Sequence, residues 1–471
     1  MLRLAISCAL LIGFAPASQA AGVCASGASE TRHSASIGGK HLEYVACAGT
    51  LPVRSLKGTT GRIFYTAYIV PTKRTRPLSF IWNGGPGADS RLLHFHALGP
   101  RVFRGGTLAD NRVSPLGTSD LVFVDPVGTG FSTAHRPEQA ADFYGTNADI
   151  ASVAGFVGDF RRTYRRRDAP LYLVGESFGT WRAAGVAEVL IDRGTKVAGI
   201  ALISGGIPLG DLPDRNRIRA LSLDSRVATA HALGRLAPEL QADRERTLAE
   251  VRAWGLRDYA PALADPDALT PERRTAVIAA LAQYQGLPVS AIDIPTLWVS
   301  PRQFRTGLLA AEGKTLGIFD MRTTGGSGDD TAEARLVIDY YRASLRYRHG
   351  TYAGIDGPQS DAGGTWQYDQ SPITKDTLAR AMAGEGPPSP SQPWTLRAME
   401  KAAGLRTWVA AGRYDSLNSC AGNEATVAAL PGSVAARFVL RCYEGGHMMY
   451  EDPRETDRFG RELSTFLAGG A

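Results

Sequence analysis

Lysine is scarce in this chain: only seven of its 52 cationic residues are Lys, against 46 acids and a formal charge of +6. Without a basic run or an aromatic-basic stripe, this excess reads as a generally cationic surface and not as a nucleic-acid footprint, and no nucleic-acid partner is expected. Cysteine is scarce too, with five in 471 residues, which excludes a small disulfide-stapled module. No apolar run approaches the ~20 residues needed to cross a bilayer, and no membrane anchor is expected. With 44% hydrophobic and 21% charged residues, the chain can bury a large core and is neither disordered nor collagen-like.

The first twenty residues read as a secretory signal. Arg3 precedes an apolar run from Leu4 to Ala15, and Pro16 and the small-residue stretch Ala17 to Ala20 follow, with cleavage expected after Ala20. The expected location is therefore secreted or periplasmic. Losing Cys8 with that segment leaves four cysteines, an even number suited to pairing in an oxidising compartment. Three pairings can be drawn. Cys24 with Cys47 and Cys420 with Cys442 are favoured because each pair is close in sequence.

Strand-like and helical patterns alternate in the first half. Strands are read at 62–70, 78–82, 120–125, 171–175 and 197–204, and helices at 149–164 and 177–191. That alternation predicts an α/β fold, a mostly parallel twisted sheet with helices on both faces. Helical patterns then dominate 211–395, at 215–233, 271–285 and 331–348, before a loop-rich stretch at 350–393. A strand at 406–411, a helix at 423–430, a strand at 436–443 and a helix at 455–467 resume the alternation. One core interrupted by a large helical insertion follows: residues 21–210 and 396–471 form the core, and 211–395 the insertion.

The strand at 171–175 runs through Gly175-Glu176-Ser177-Phe178-Gly179 directly into a helix. G-x-S-x-G at a strand-to-helix turn is a nucleophile elbow, whose glycines permit a bend that projects the serine hydroxyl above the sheet. Ser177 is the candidate nucleophile. A serine hydroxyl needs a base, and the base an orienting carboxylate, in the chain order Ser, acid, His for this architecture. His447, after Gly445 and Gly446 near the C-terminus, is the candidate base in preference to His349, which ends a cationic helical pattern. Asp415, just beyond the strand at 406–411, is the candidate acid. The strand at 78–82 delivers Asn83-Gly84-Gly85-Pro86-Gly87, a loop nearly bare of side chains, to offer one backbone donor to a developing oxyanion. The second donor is the amide of Phe178. His94 and His96, two apart on a helical pattern, diverge, and neither a metal nor a cofactor is expected.

With these residues assembled, the chain resembles the serine carboxypeptidase family of α/β-hydrolases. The matching segments are WNGGPG at 82–87, DPVGTGFS at 125–132, GESFG at 175–179, GRYD at 412–415 with Gly422 and Asn423, and GHM at 446–448. The resemblance implies a triad of Ser177, Asp415 and His447, an oxyanion hole from the amides of Gly85 and Phe178, and a peptide substrate with a free C-terminus. It also implies a clamp for the substrate's terminal carboxylate built from Asn83, Gly84 and Glu176. Two carboxyls meeting there repel unless they share a proton, which raises one pKa and predicts activity favoured at acidic pH.

Departures from the family pattern border the site. Ala88-Asp89-Ser90 stands where a Cys and two Ser are usual, Thr180-Trp181-Arg182 follows the elbow, and Met449-Tyr450 replaces the usual Val-Pro. The chemistry expected is acyl-enzyme hydrolysis of C-terminal peptide bonds. The alternative is an esterase or acyltransferase using the same triad, since a fold alone does not fix the substrate. A binding module without catalysis is disfavoured by the presence of all three triad residue types.

Overall fold

A computed structural model of the chain describes residues 22–210, 214–325, 331–370 and 391–470. The expected signal segment, residues 1–20, lies outside the described residues, as does much of the loop-rich stretch.

Among the described residues twelve strands form: β1 (Ser29–Ile37), β2 (Lys40–Arg54), β3 (Thr60–Ile69), β4 (Leu78–Trp82), β5 (Arg101–Arg104), β6 (Thr107–Asp110), β7 (Asp120–Asp125), β8 (Thr133–Ala134), β9 (Leu171–Glu176), β10 (Gly199–Ile203), β11 (Arg406–Gly412) and β12 (Phe438–Tyr443). Ten of them make one sheet in the order β1-β2-β3-β7-β4-β9-β10-β11-β12, with β8 on β3, while β5 and β6 pair separately. From β7 to β12 every pairing is parallel. At the other edge β1, β2 and β3 are antiparallel to their neighbours; β3 answers the strand read at 62–70, while β1 and β2 were not in the sequence reading.

Strand periodicity explains how the sheet is buried on both faces. Leu78, Phe80 and Trp82 of β4, with Leu171 and Leu173 of β9, face one core, where α1 (Thr146–Thr163) and α2 (Gly179–Asp192) cover them. Ile81 and Val174 face the other core, covered by the C-terminal helix Thr456–Leu467 through Phe459, Leu463 and Phe466.

The insertion divides. Helices α3 (Arg215–Leu221) and α4 (Leu223–Ala232), with those at Arg244–Trp254 and Pro271–Gln285, share a core of their own. Tyr414 is its one buried member from outside the insertion. Residues 337–352 instead pack onto the sheet through Val337, Tyr340, Tyr341 and Tyr352. The pattern at 215–233 breaks into two helices at Ser222, and that at 331–348 passes from α-helix into a π-turn at Tyr340–Ser344. The wider turn sets both Tyr340 and Tyr341 into the core.

Both expected cysteine pairs are bonded, Cys24–Cys47 and Cys420–Cys442. The second ties the helix after the Asp415 loop to β12, across a separation of 22 residues. Replacing Cys420 and Cys442 together by Ala is expected to lower the unfolding free energy by about 3 kcal/mol, the loop-closure value for such a cross-link. A lower denaturant midpoint, with a steeper slope as the denatured chain loses its cross-link, would show it; an unchanged midpoint would refute it.

Candidate active site

Ser177 sits at the end of β9 with φ +56°, a left-handed conformation that a non-glycine residue adopts only under constraint from its surroundings. The glycines around it are required by contact. A methyl on Gly175 would lie 1.9 Å from the Gly179 carbonyl oxygen, and one on Gly205 would lie 2.1 Å from that of Ser177. The Ser177 amide donates to the Ile203 carbonyl at 2.8 Å, which seats the elbow against the end of β10.

The loop after β4 presses against the same elbow. A methyl on Gly84 would be 2.5 Å from the Phe178 nitrogen and 2.7 Å from the Glu176 carbonyl oxygen. The backbone of Gly84 and Gly85 therefore runs beside the Phe178 amide. Among the described residues neither the Gly85 nor the Phe178 amide donates to a protein acceptor, so both are available to an oxygen placed above Ser177.

Asp415 and His447 come together from neighbouring parallel strands. His447 Nδ1 and Asp415 Oδ2 are 2.8 Å apart, with side chains 3% and 0% exposed. Asp415 Oδ1 accepts from the Leu417 amide at 2.9 Å, which fixes the carboxylate plane. Burial lifts the carboxyl of Asp415, against the opposing pull of His447. For His447 burial acts downward, but the charge and hydrogen bond of Asp415 and the charge of Glu176 outweigh it and raise the imidazole above its usual value.

Among the described residues no hydrogen bond joins Ser177 Oγ to His447. The two are linked through β10: Ser204 Oγ donates to the His447 carbonyl at 2.6 Å, and Gly205 abuts Ser177. Catalytic hydrogen bonds of this kind commonly tighten only when substrate is bound.

Glu176 is buried beside the nucleophile. Its Oε2 accepts from Asn83 Nδ2 at 2.8 Å and from Tyr450 Oη at 2.8 Å. Asn83 Oδ1 accepts from the Leu93 amide at 3.0 Å, so the amide orientation follows from its own bonds. Burial pushes Glu176 up to about 7, although His447 and the two donors favour its charged form. Sequence reading brought Asn83, Gly84 and Glu176 together but passed over Tyr450, noted only as a departure. Its one signal was a tyrosine where the family pattern has an apolar pair.

The insertion latches both loops of the acid–base pair. Ser416 Oγ donates to the Ile318 carbonyl at 2.6 Å, the His447 amide to the Phe319 carbonyl at 2.6 Å, and the Met321 amide to the Tyr414 carbonyl at 2.9 Å. The Phe319 ring lies 5.2 Å from the imidazole. His349 is exposed and far in role from this site. His94 is fully buried, 2.7 Å from Tyr68 Oη, and burial lowers it to about 3. Among the described residues no group of three or more His, Cys, Asp or Glu side chains is arranged to hold a metal.

The fold and this site define an α/β-hydrolase. Residues 46–204 match the sequence model of the serine carboxypeptidase family. It is 31% identical over 140 residues to serine carboxypeptidase-like 36 of Arabidopsis thaliana, a stretch covering 28% of this chain and 28% of that protein. A probable serine carboxypeptidase of Arthroderma benhamiae is 26% identical over 164 residues, or 32% of this chain and 30% of that protein. The matches thus span less than a third of the curated relatives' lengths. In fold, the chain is similar to a prohormone-processing carboxypeptidase from Saccharomyces cerevisiae, with a TM-score of 0.55 at 13% identity over 90% of this chain and 91% of that one.

A low-field proton resonance from the His447 Nδ1–H to Asp415 bond is expected in the wild-type NMR spectrum and should vanish in Asp415→Ala. Its persistence in a folded Asp415→Ala protein would show that the imidazole is held by something else.

Proposed function

We propose that this protein is a serine carboxypeptidase that removes C-terminal residues from peptides through an acyl-enzyme intermediate. Ser177 Oγ attacks the last peptide carbonyl, and His447 Nε2 takes the hydroxyl proton and passes it to the departing amine. Asp415 keeps the imidazole in the tautomer with Nδ1 protonated and stabilises the imidazolium that forms. The amides of Gly85 and Phe178 stabilise the oxyanion. Water then attacks the acyl-enzyme, with His447 again acting as base. The two disulfides and the expected signal segment support an exported protein working in an oxidising compartment.

The observation that carries this reading is the buried carboxyl of Glu176, one residue before the nucleophile and held by Asn83 and Tyr450. In a carboxypeptidase such a carboxyl has a direct use, because a neutral Glu176 shares its proton with the substrate's terminal carboxylate. Below about 7 the Glu176 carboxyl is protonated and binding is favourable; as pH rises through that value two carboxylates meet and binding weakens. In the opposite sense, His447 must be neutral to act as base, so turnover falls as pH drops below its raised value.

The test is a panel of N-blocked dipeptides and their C-terminal amides assayed from about pH 4 to about pH 8. Free amino acid should be released, and KM for the free acids should rise about tenfold per pH unit above the Glu176 midpoint, while the amides show no such rise. Glu176→Gln should flatten that rise. An unchanged KM profile in Glu176→Gln would refute the shared proton, and ester turnover without any amino-acid release would refute the carboxypeptidase.

Tyr450→Phe removes a donor that favours the ionised form of Glu176. The alkaline rise of KM is therefore expected to move to higher pH, by about half a unit to one unit. A shift to lower pH would show that Tyr450 acts on Glu176 in another way.

A further inference from the structure

Beside Asp415, with His447 outside its lining, α3, α4 and the loops that follow β10 and β11 border a cavity of about 410 Å³. Its wall carries two guanidinium groups, Arg219 on α3 and Arg226 on α4, stacked on the ring of Trp298 at 5.1 and 4.9 Å. Among the described residues neither arginine is ion-paired. Arg226, 4% exposed, bonds only to the Val299 carbonyl and, at 3.5 Å, to Gln285 Oε1. Burial pushes its guanidinium down to about 10.

Four more polar atoms of the lining residues are buried without a hydrogen-bond partner: Ser225 Oγ, Trp298 Nε1, Asn418 Nδ2 and Asn423 Nδ2. Asn418 Oδ1 accepts from the Ser419 amide at 2.8 Å, which leaves its Nδ2 as the free donor. Asp415, the carboxylate of this lining, is already committed through both oxygens, to His447 and to the Leu417 amide. A buried donor left without a partner is unfavourable. A wall of unpaired donors beside two cations is thus complementary to an anion that the protein does not itself supply.

The position of the cavity says which part of a substrate reaches it. In the sheet, β9 carries Ser177 between β4, whose following loop holds Asn83 and Gly84, and β10, whose following loop opens the cavity at Gly206 and Ile207. A peptide whose terminal carboxylate lies on the β4 side crosses Ser177 toward β10 and β11, so its acyl half lies over the cavity. Ile207, Ile218 and Met321 supply apolar surface for the methylenes of a side chain. We propose that this cavity selects peptides with an acidic residue on the acyl side of the scissile bond, its carboxylate held by Arg219, Arg226 and the free donors around Trp298. The proposal rests on the carboxypeptidase reading and names its substrate class.

The test compares N-blocked Glu-Leu, Gln-Leu and Leu-Leu. Wild-type kcat/KM should favour Glu-Leu over Gln-Leu about tenfold or more, because a charge-assisted pair is roughly twice as strong as a neutral one. In Arg219→Gln that ratio should fall to near one, and Arg219→Lys should restore part of it. Asn418→Asp, which keeps the bond to the Ser419 amide while adding a negative charge to the wall, should also abolish the preference, and it serves if Arg219→Gln does not fold. Equal rates on Glu-Leu and Gln-Leu, or an unchanged ratio in a folded Arg219→Gln or Asn418→Asp protein, would overturn the proposal. Calorimetry of the same peptides with Ser177→Ala separates it from the reading beneath it. Cleavage without preference sinks the cavity alone. Preferential binding of Glu-Leu without any cleavage by wild type upholds the cavity and sinks the carboxypeptidase, and absence of both sinks the two together.

Discussion

The buried hydrogen bond between Asp415 and His447 is the constraint around which the rest of the site is arranged. Its two loops leave adjacent parallel strands in register, Gly412 of β11 opposite Tyr443 of β12. The base loop passes so close over the acid strand that a methyl on Gly412 would lie 1.9 Å from the Gly446 carbonyl oxygen. A pair this dry contributes little net stability, yet losing one partner strands a charge in the interior at a cost of about 3–5 kcal/mol. The restraints on the two loops make sense in that light. The Cys420–Cys442 bond, the latch at 318–321 and the Tyr414 amide bond to the Gly445 carbonyl at 3.0 Å all resist the same separation.

Burial lifts both carboxyls close to His447, but their partners differ. Asp415 shares a hydrogen bond with the imidazole and takes another from a backbone amide, so its charge is matched at short range. Glu176 has two neutral donors and full burial, so its proton is retained up to about 7. Both raise His447, so neutral imidazole and protonated Glu176 compete for the same pH range.

The core was legible in the sequence where local and global signals agreed. β4 and β7 are short apolar runs between turn residues, and their limits follow from that alone. The helix Pro271–Gln285 begins where Thr270 caps it and Pro occupies its first position, and it ends at Gly286 with φ +64°. What was not legible depends on distant partners. β1 and β2 are defined by pairing along the antiparallel edge rather than by a strong period of their own. Tyr450 meets Glu176 across 274 positions, and nothing local to either residue announces that contact. The division of the insertion was hidden for a similar reason. Its two parts have comparable helical patterns but bury them against different surfaces, one against itself and the other against the sheet.

That division bears on how selectivity and chemistry are joined. A helical unit with its own core could vary without disturbing the sheet, since Tyr414 is the one buried residue from outside it. Yet Tyr414 adjoins Asp415, and the Leu417–Asn423 stretch that lines the cavity continues from the same loop. Asp224 on α4 meets Arg413 at 3.5 Å, and Glu444, just beyond β12, meets both Arg413 and Arg244 of the insertion, at 2.8 and 2.9 Å. The two Glu444 pairs are partly exposed and individually weak, whereas Asp224 is buried. Their effect is geometric, because they fasten the insertion to the loops that carry acid and base and not to the sheet at large. A side chain that displaced α3 or α4 would therefore be felt first at Asp415, so the residues proposed to receive a substrate and the residue proposed to orient the imidazole share one mechanical element.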